Sequence, residues 1–274
     1  MTSANEKTEV RPLDYLRRVH WGYGVGLLAI VAALVAVLPD GGDGRTWRAL
    51  ASLVNWTPFI LEGFVLNLVM SFLAMGMATV LGVGLGLLQI GKNLFVRKPA
   101  VFVTHLFRNS PWLVILFVVM YFFPFELRMP GGDTVSVPGW IPATLAFALP
   151  VMANISEIVR GSINSIPHTQ WESAASLALT RRQTLRHVIL PQCVKRSIPP
   201  WMNWYAMLTL ATPMASILGV QEAVGNAQAA MEAAGSRPEL LMPFYGFLLL
   251  LFFAYIYPIA IITHKLERKY GFAS

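Results

Sequence analysis

What this chain has little of already narrows its function. Only 13% of its 274 residues are charged, about half the share of an ordinary soluble domain. It has one cysteine, Cys193, which excludes an internal disulfide and any cysteine-built metal centre. The five histidines stand at 20, 105, 168, 187 and 264, and no two are spaced to face one ion from one helix. Carboxylates are rare inside the apolar runs, and no convergent acid–base set is visible, so an enzyme is not expected. No repeat period and no low-complexity segment can be seen.

What is present is hydrophobic. Apolar residues make up 55% of the chain, and the mean hydropathy is +0.57. That composition predicts a polytopic membrane protein, all-α, because helices satisfy every backbone group within hydrocarbon. Runs of about 20 apolar residues, the length that crosses a bilayer, predict six transmembrane helices. They fall at 21–38, 59–90, 101–123, 140–159, 197–220 and 240–262. The third contains Arg108-Asn109-Ser110-Pro111, and the fifth is expected to break at Thr212-Pro213. Residues 1–20 read as a retained cytoplasmic tail, since no small-residue cleavage site follows the apolar run. Residues 265–274 read as a second cytoplasmic tail.

Lysine and arginine set the orientation. Sixteen of the 21 lie in 1–20, 91–99, 160–196 and 264–270, against four in the alternate segments 39–58, 124–138 and 221–239. The excess places both termini and the 160–196 loop in the cytoplasm. The net charge of +7 is thereby topogenic, and no nucleic-acid partner is expected.

The loop is a polar, basic island, and the chain is organised around it. Thr169 precedes Glu172 by three residues, and Thr180 precedes Gln183 by three. Each pair predicts a capping box at a helix start. Trp171, Ala174, Ala175, Ala178 and Leu179 follow the first in helical spacing. Leu185, Val188 and Ile189 follow the second, and Pro191 is expected to end that run. The spacing predicts two capped helices joined by a turn, either a packed loop without a partner or a docking element.

Other motifs are read against their plainer alternatives. Gly86 to Asn93 nearly spells a P-loop, but Asn93 stands where the magnesium-binding hydroxyl belongs and no strand precedes it. No nucleotide site, cofactor or metal is expected in this chain. Gly82 and Gly86 have G-x-x-x-G spacing, repeated at Gly22 and Gly26, and suit close packing of helices within or between subunits. Arg108 and Glu157 are charges in or near hydrocarbon and need partners. Arg160 is within helical reach of Glu157, and Arg108 either pairs with Glu157 or reaches the cytoplasmic surface. Such a cluster either fixes packing or lines a pathway. The break at Thr212-Pro213 either shapes packing or opens backbone groups to a substrate.

These residues together resemble the permease subunits of bacterial ATP-binding-cassette (ABC) importers, in the branch that carries polar amino acids. The family's cytoplasmic signature is matched by Glu172-Ser173-Ala174, Ala178 and Val188-Ile189-Leu190-Pro191. Glu157-Ile158-Val159-Arg160-Gly161, Ser165-Ile166-Pro167, Gln170-Trp171-Glu172, Phe107-Arg108-Asn109-Ser110-Pro111 and Ala215-Ser216-Ile217-Leu218-Gly219-Val220 resemble flanking motifs of the branch. The likeness runs from about Glu62 to Tyr270. It implies a type I fold with a five-helix permease domain over 59–264, to which the helix at 21–38 is an addition.

The resemblance also implies partners. Two permease subunits, in a homo- or heterodimer, form the pore in the inner membrane. Two ATPase subunits beneath bind ATP and receive the loop's helices in a groove. A periplasmic solute-binding protein docks on the outer segments. Glu172, Ser173, Ala174, Ala178 and Arg181 are the residues expected to couple this chain to the ATPase. Arg108, Asn109, Glu157 and Thr212 are expected along the path of a polar amino acid. There are departures: Ala178 replaces a turn glycine, and Leu210, Ala211 and Pro213 replace polar residues. Either this subunit engages substrate less than its partner in a heterodimer, or its substrate needs fewer charged contacts. The rival reading is a self-contained secondary transporter, which would move solute without an ATPase.

Overall fold

The computed structural model describes residues 44–124, 126–128 and 134–270. The tail at 1–20, the helix expected at 21–38, the Gly22–Gly26 pair and the last four residues of the C-terminal tail lie outside them. Among the described residues the regular structure is helical apart from one hairpin. Helix α1 (Arg45–Gln89) is followed by α2 (Leu94–Asn109) and α3 (Trp112–Phe122). The hairpin pairs β1 (Glu126–Arg128) with β2 (Thr134–Ser136), antiparallel, with Leu127 opposite Val135. Next come α4 (Trp140–Asn164), α5 (His168–Ser176) and α6 (Arg181–Gln183). A π-helical segment, Thr184–Ile189, carries α6 into α7 (Leu190–Ala211). A 3₁₀ segment (Thr212–Leu218), α8 (Ala223–Ala233) and a 3₁₀ turn (Pro238–Leu240) lead to α9 (Leu241–Tyr270).

Among the described residues, three helices are long and apolar enough to cross a membrane: those over Trp47–Gln89, Trp140–Asn164 and Pro238–Lys269. Counting as one span each of two bent pairs, α2 with α3 and the run from α6 through the 3₁₀ segment with α8, raises the number to at most five.

Four boundaries differ from the sequence reading. Helix α1 starts at Arg45 instead of residue 59, since nothing from Thr46 to Trp56 breaks a helix and Pro58 is absorbed within it. The expected third span is two helices bent by 107°. Ser110 is extended (ψ 141°) because the following Pro111 excludes it from the helical region, and its hydroxyl donates to Leu106 O at 2.7 Å. Pro191 does not end its helix. It sits in the first turn of α7, where a missing amide costs least, and the wider π turn before it bonds Leu190 N–H to Leu185 O. Finally, the expected outer segment 221–239 contains a packed helix, α8, with Ala223, Ala227 and Ala230 fully buried.

Helix α4 is the hub. Every residue from Val151 to Ser156 is buried, and α1 lies along it most extensively of all helix pairs. Gly82 and Gly86 make that approach. A Cβ at Gly82 would meet Met152 O at 2.7 Å, and one at Gly86 would meet Ser156 O at 2.7 Å. The glycine face therefore serves packing within the chain. One core of Met70, Leu116, Phe147 and Leu208 joins α1, α3, α4 and α7. A second, of Ile60, Phe64, Ala227 and Phe244, joins α1, α8 and α9.

Candidate functional site

The 160–196 loop folds as an elbow between α4 and α7. Helix α5 begins at His168 after Pro167 (ψ 142°), and no side chain caps it. The expected Thr169–Glu172 box does not form, because proline starts the helix two residues early and Thr169 falls inside it. The second box does form. Thr180 Oγ1 accepts from Gln183 N at 3.4 Å, and Gln183 Oε1 accepts from Thr180 N at 2.8 Å.

The turn between them is a Schellman motif. Leu179 N–H donates to Ala174 O (3.2 Å) and Ala178 N–H donates to Ala175 O (2.9 Å). It places Ala178 at φ 53°, the left-handed region that glycine enters freely and alanine only at a cost. Ala178 and Leu179 thus lie beyond α5 and do not extend its apolar face.

Of the expected coupling residues, Glu172, Ser173, Ala178 and Arg181 are exposed, and Ala174 is buried. The elbow has its own core: Ile163, Ile166, Ile189 and Cys193, with Trp171, Leu185 and Leu87 packed against it. Polar ties fix its base. Arg196 Nη1 donates to Ser165 O at 2.9 Å and to Ser165 Oγ at 2.8 Å. The Ser162 and Ser197 hydroxyls meet at 2.9 Å. Arg181 Nη2 donates to Ile90 O at 3.3 Å, joining the elbow to the end of α1. The elbow is therefore tied to α1, α4 and α7 together.

Beside the elbow, Glu157 gathers both candidate cations. Arg160 Nη2 reaches its carboxylate at 2.6 Å from the same helix, and Arg108 Nη1 at 3.5 Å from the end of α2. The two pairings weighed in the sequence thus coexist. Glu157 and Arg160 line a cleft of about 530 Å³ with Gln89, Arg97, His105, Trp171 and Arg181. Asn109 is exposed at the end of α2.

Thr212 lies elsewhere. It is fully buried where α7 gives way to the 3₁₀ segment, donating to Thr209 O at 2.8 Å. Asn67 Nδ2 donates to Thr212 Oγ1 (2.9 Å) and to Glu222 Oε2 (2.8 Å), and Asn67 Oδ1 accepts from Ala223 N (3.0 Å). Glu222 also accepts from Val224 N (3.1 Å) and Gly225 N (3.0 Å), capping α8. Here α1 closes on the chain so tightly that a Cβ at Gly63 would sit 2.5 Å from Glu222 C. The elbow, with Arg108 and Glu157, and this lock are two separate polar sites.

Sequence reasoning missed Asn67 and Glu222. It also missed a buried triad in which Gln89 Nε2 donates to Thr104 Oγ1 (2.8 Å) and Ser156 Oγ (3.0 Å). A signal was available: each is a strongly polar side chain in or beside an apolar run, where it needs a partner.

Comparison with known proteins adds the following. The profile described as "Binding-protein-dependent transport system inner membrane component" matches residues 78–269. The chain is 32% identical to a probable amino-acid ABC transporter permease protein, YckA, of Bacillus subtilis, over 78% of this chain and 90% of that one. It is 33% identical to the L-cystine transport system permease protein TcyB of the same organism, over 59% of this chain and 65% of that one. Among solved structures it resembles an amino acid ABC transporter crystallised with histidines, with TM-score 0.66 and 21% identity, over 78% of this chain and 97% of the other. It also resembles the inward-facing MetNI methionine ABC transporter, with TM-score 0.62 and 16% identity, over 79% and 98%.

Proposed function

The chain belongs to the family of inner-membrane components of binding-protein-dependent transport systems, as an ABC importer permease, and from that premise we propose that it imports a polar amino acid. It is a transport subunit, and ATP is hydrolysed on a separate subunit. It lies in the inner membrane and works with that ATPase and a substrate-binding protein. On our reading a second permease subunit completes the pore, and both termini and the elbow face the cytoplasm. Sixteen of 21 basic residues on that side support the orientation. The binding protein docks on the opposite face, at the start of α1, the hairpin and the exposed turn at 235–237.

The observation that carries the mechanism is the elbow. Glu172 and Ser173 are exposed at its tip, while its base is tied to three membrane helices. We assign Glu172, Ser173, Ala174, Ala178 and Arg181 to coupling. Ala174 and Ala178 act through the shape of the turn. Closure of the ATPase on the tip turns the elbow as a unit and moves α1, α4 and α7. Arg108, Asn109 and Glu157 flank the cytoplasmic end of the path. Thr212 acts from within the lock, setting where α7 breaks. Leu210 is exposed immediately before that break, so the half-site offered here is apolar, as expected of the less engaged half of a heterodimer or of a substrate with few charged contacts.

Glu172→Lys in the assembled transporter tests the coupling role. Uptake per ATP hydrolysed should fall at least about tenfold, the effect of losing roughly 1.4 kcal/mol of coupling, while membrane insertion is unchanged. Normal uptake by this variant would remove Glu172 from the coupling surface.

A further inference from the structure

A second cleft, of about 540 Å³, opens on the other side of Arg181. It lies between the end of α1 and the run from α6 through the π segment, lined by Lys92, Arg181, Arg182 and Arg186 and floored by Leu87, Leu185 and Leu190. No carboxylate lines it. Lys92, Arg182 and Arg186 are exposed, and none has a side-chain hydrogen bond or ion pair among the described residues. Like charges crowded without counter-charge repel, so the arrangement suits an anion that neutralises them. The floor is apolar and belongs to the elbow's core, which a free anion would leave uncovered. The volume suits a headgroup with the upper part of its acyl chains.

We propose that this cleft binds the phosphate headgroup of an anionic phospholipid, with Lys92, Arg182 and Arg186 on the phosphate and the three leucines beneath the acyl chain. Basic pockets between helices at the cytoplasmic face of a membrane have this chemistry. The proposal rests on the orientation given above. The bound lipid bridges the end of α1 to the elbow, so it holds the elbow against the bilayer and makes coupling depend on the charge of the leaflet. An acidic patch on the ATPase is the competing occupant. Glu172 and Ser173, the exposed tip residues, do not line this cleft, and a soluble partner would have no use for its leucine floor.

The test uses the whole transporter, permease with its ATPase, in nanodiscs of phosphatidylcholine with or without phosphatidylglycerol. Native mass spectrometry reads the phosphatidylglycerol retained, and ATPase activity is followed in parallel. Wild-type complex should retain phosphatidylglycerol and be stimulated by it. Combined Lys92→Gln, Arg182→Gln and Arg186→Gln should reduce retention at least about tenfold, given the attraction contributed by each basic residue. Arg186→Gln alone should give a partial loss if the triple variant fails to assemble.

Unchanged retention in these variants would overturn the proposal. So would displacement of the lipid by inorganic phosphate, which would make the site one for a free anion. Dissociation of the ATPase with lipid retention intact would assign the charges to the protein partner instead. Lys92→Cys labelled by an impermeant thiol reagent from the outer face alone would sink the orientation, while leaving the lipid measurement to stand or fall by itself.

Discussion

Two kinds of residue matter most in this chain: glycines that let helices touch, and polar side chains that find one another in a dry interior. Gly63 is the clearest of the first kind. It has no room for a methyl group against the backbone of Glu222 and Ala223, whereas Gly84 meets nothing within 4 Å. Gly63→Ala must push α1 away from α8 and strain the Asn67–Glu222 bonds. Overpacking of this sort costs about 1–3 kcal/mol. The expected outcome is a lower melting temperature for Gly63→Ala in detergent, with Gly84→Ala unchanged. Equal melting temperatures would mean that the contact is not tight in solution. Glu222 was hidden in the sequence because a glutamate beside an apolar run looks like a loop residue. Only the fold brings Asn67, 155 positions away, to its carboxylate.

Among the elements, the elbow shows how a local signal succeeds or fails. Both threonine boxes satisfy the same sequence rule, yet only the one at Thr180 forms, because Pro167 had already fixed where α5 begins. Thr180→Ala removes a working cap worth about 1 kcal/mol. It should loosen α6 and lower the amount of substrate moved per ATP. Thr169→Ala removes a side chain that caps nothing and should leave that ratio unaltered. Transport stoichiometry in proteoliposomes separates the two, and an equal effect would refute the assignment of the caps. The sharp bend between α2 and α3 carries the same lesson. The Ser110-Pro111 pair was in plain view, but an apolar run long enough to span a bilayer hid the break it contained.

At the scale of the whole molecule, a bundle of membrane-spanning helices and a basic elbow make a transport subunit that depends on another subunit for energy. Purified permease reconstituted alone should move no amino acid under an imposed ion gradient, and uptake should appear only with the ATPase and ATP. Radiolabelled uptake in proteoliposomes measures this. Gradient-driven transport by the permease alone would restore the secondary-transporter reading.

Composition and local pattern were enough to read the membrane class and the elbow's place in the chain, and the likeness of its motifs to those of known permeases gave the family. These depend on apolar runs, charge bias and motif spacing, which are properties of neighbouring residues. Tertiary structure alone decided that Glu157 takes both Arg108 and Arg160, that Asn67 locks Glu222, that Gly82 and Gly86 serve α4, and that 221–239 holds a buried helix. Each of these joins residues distant in the chain or turns on which face a helix presents to a neighbour. No local rule carries that information, because it arises only when the helices pack and polar groups excluded from water must pair within the protein.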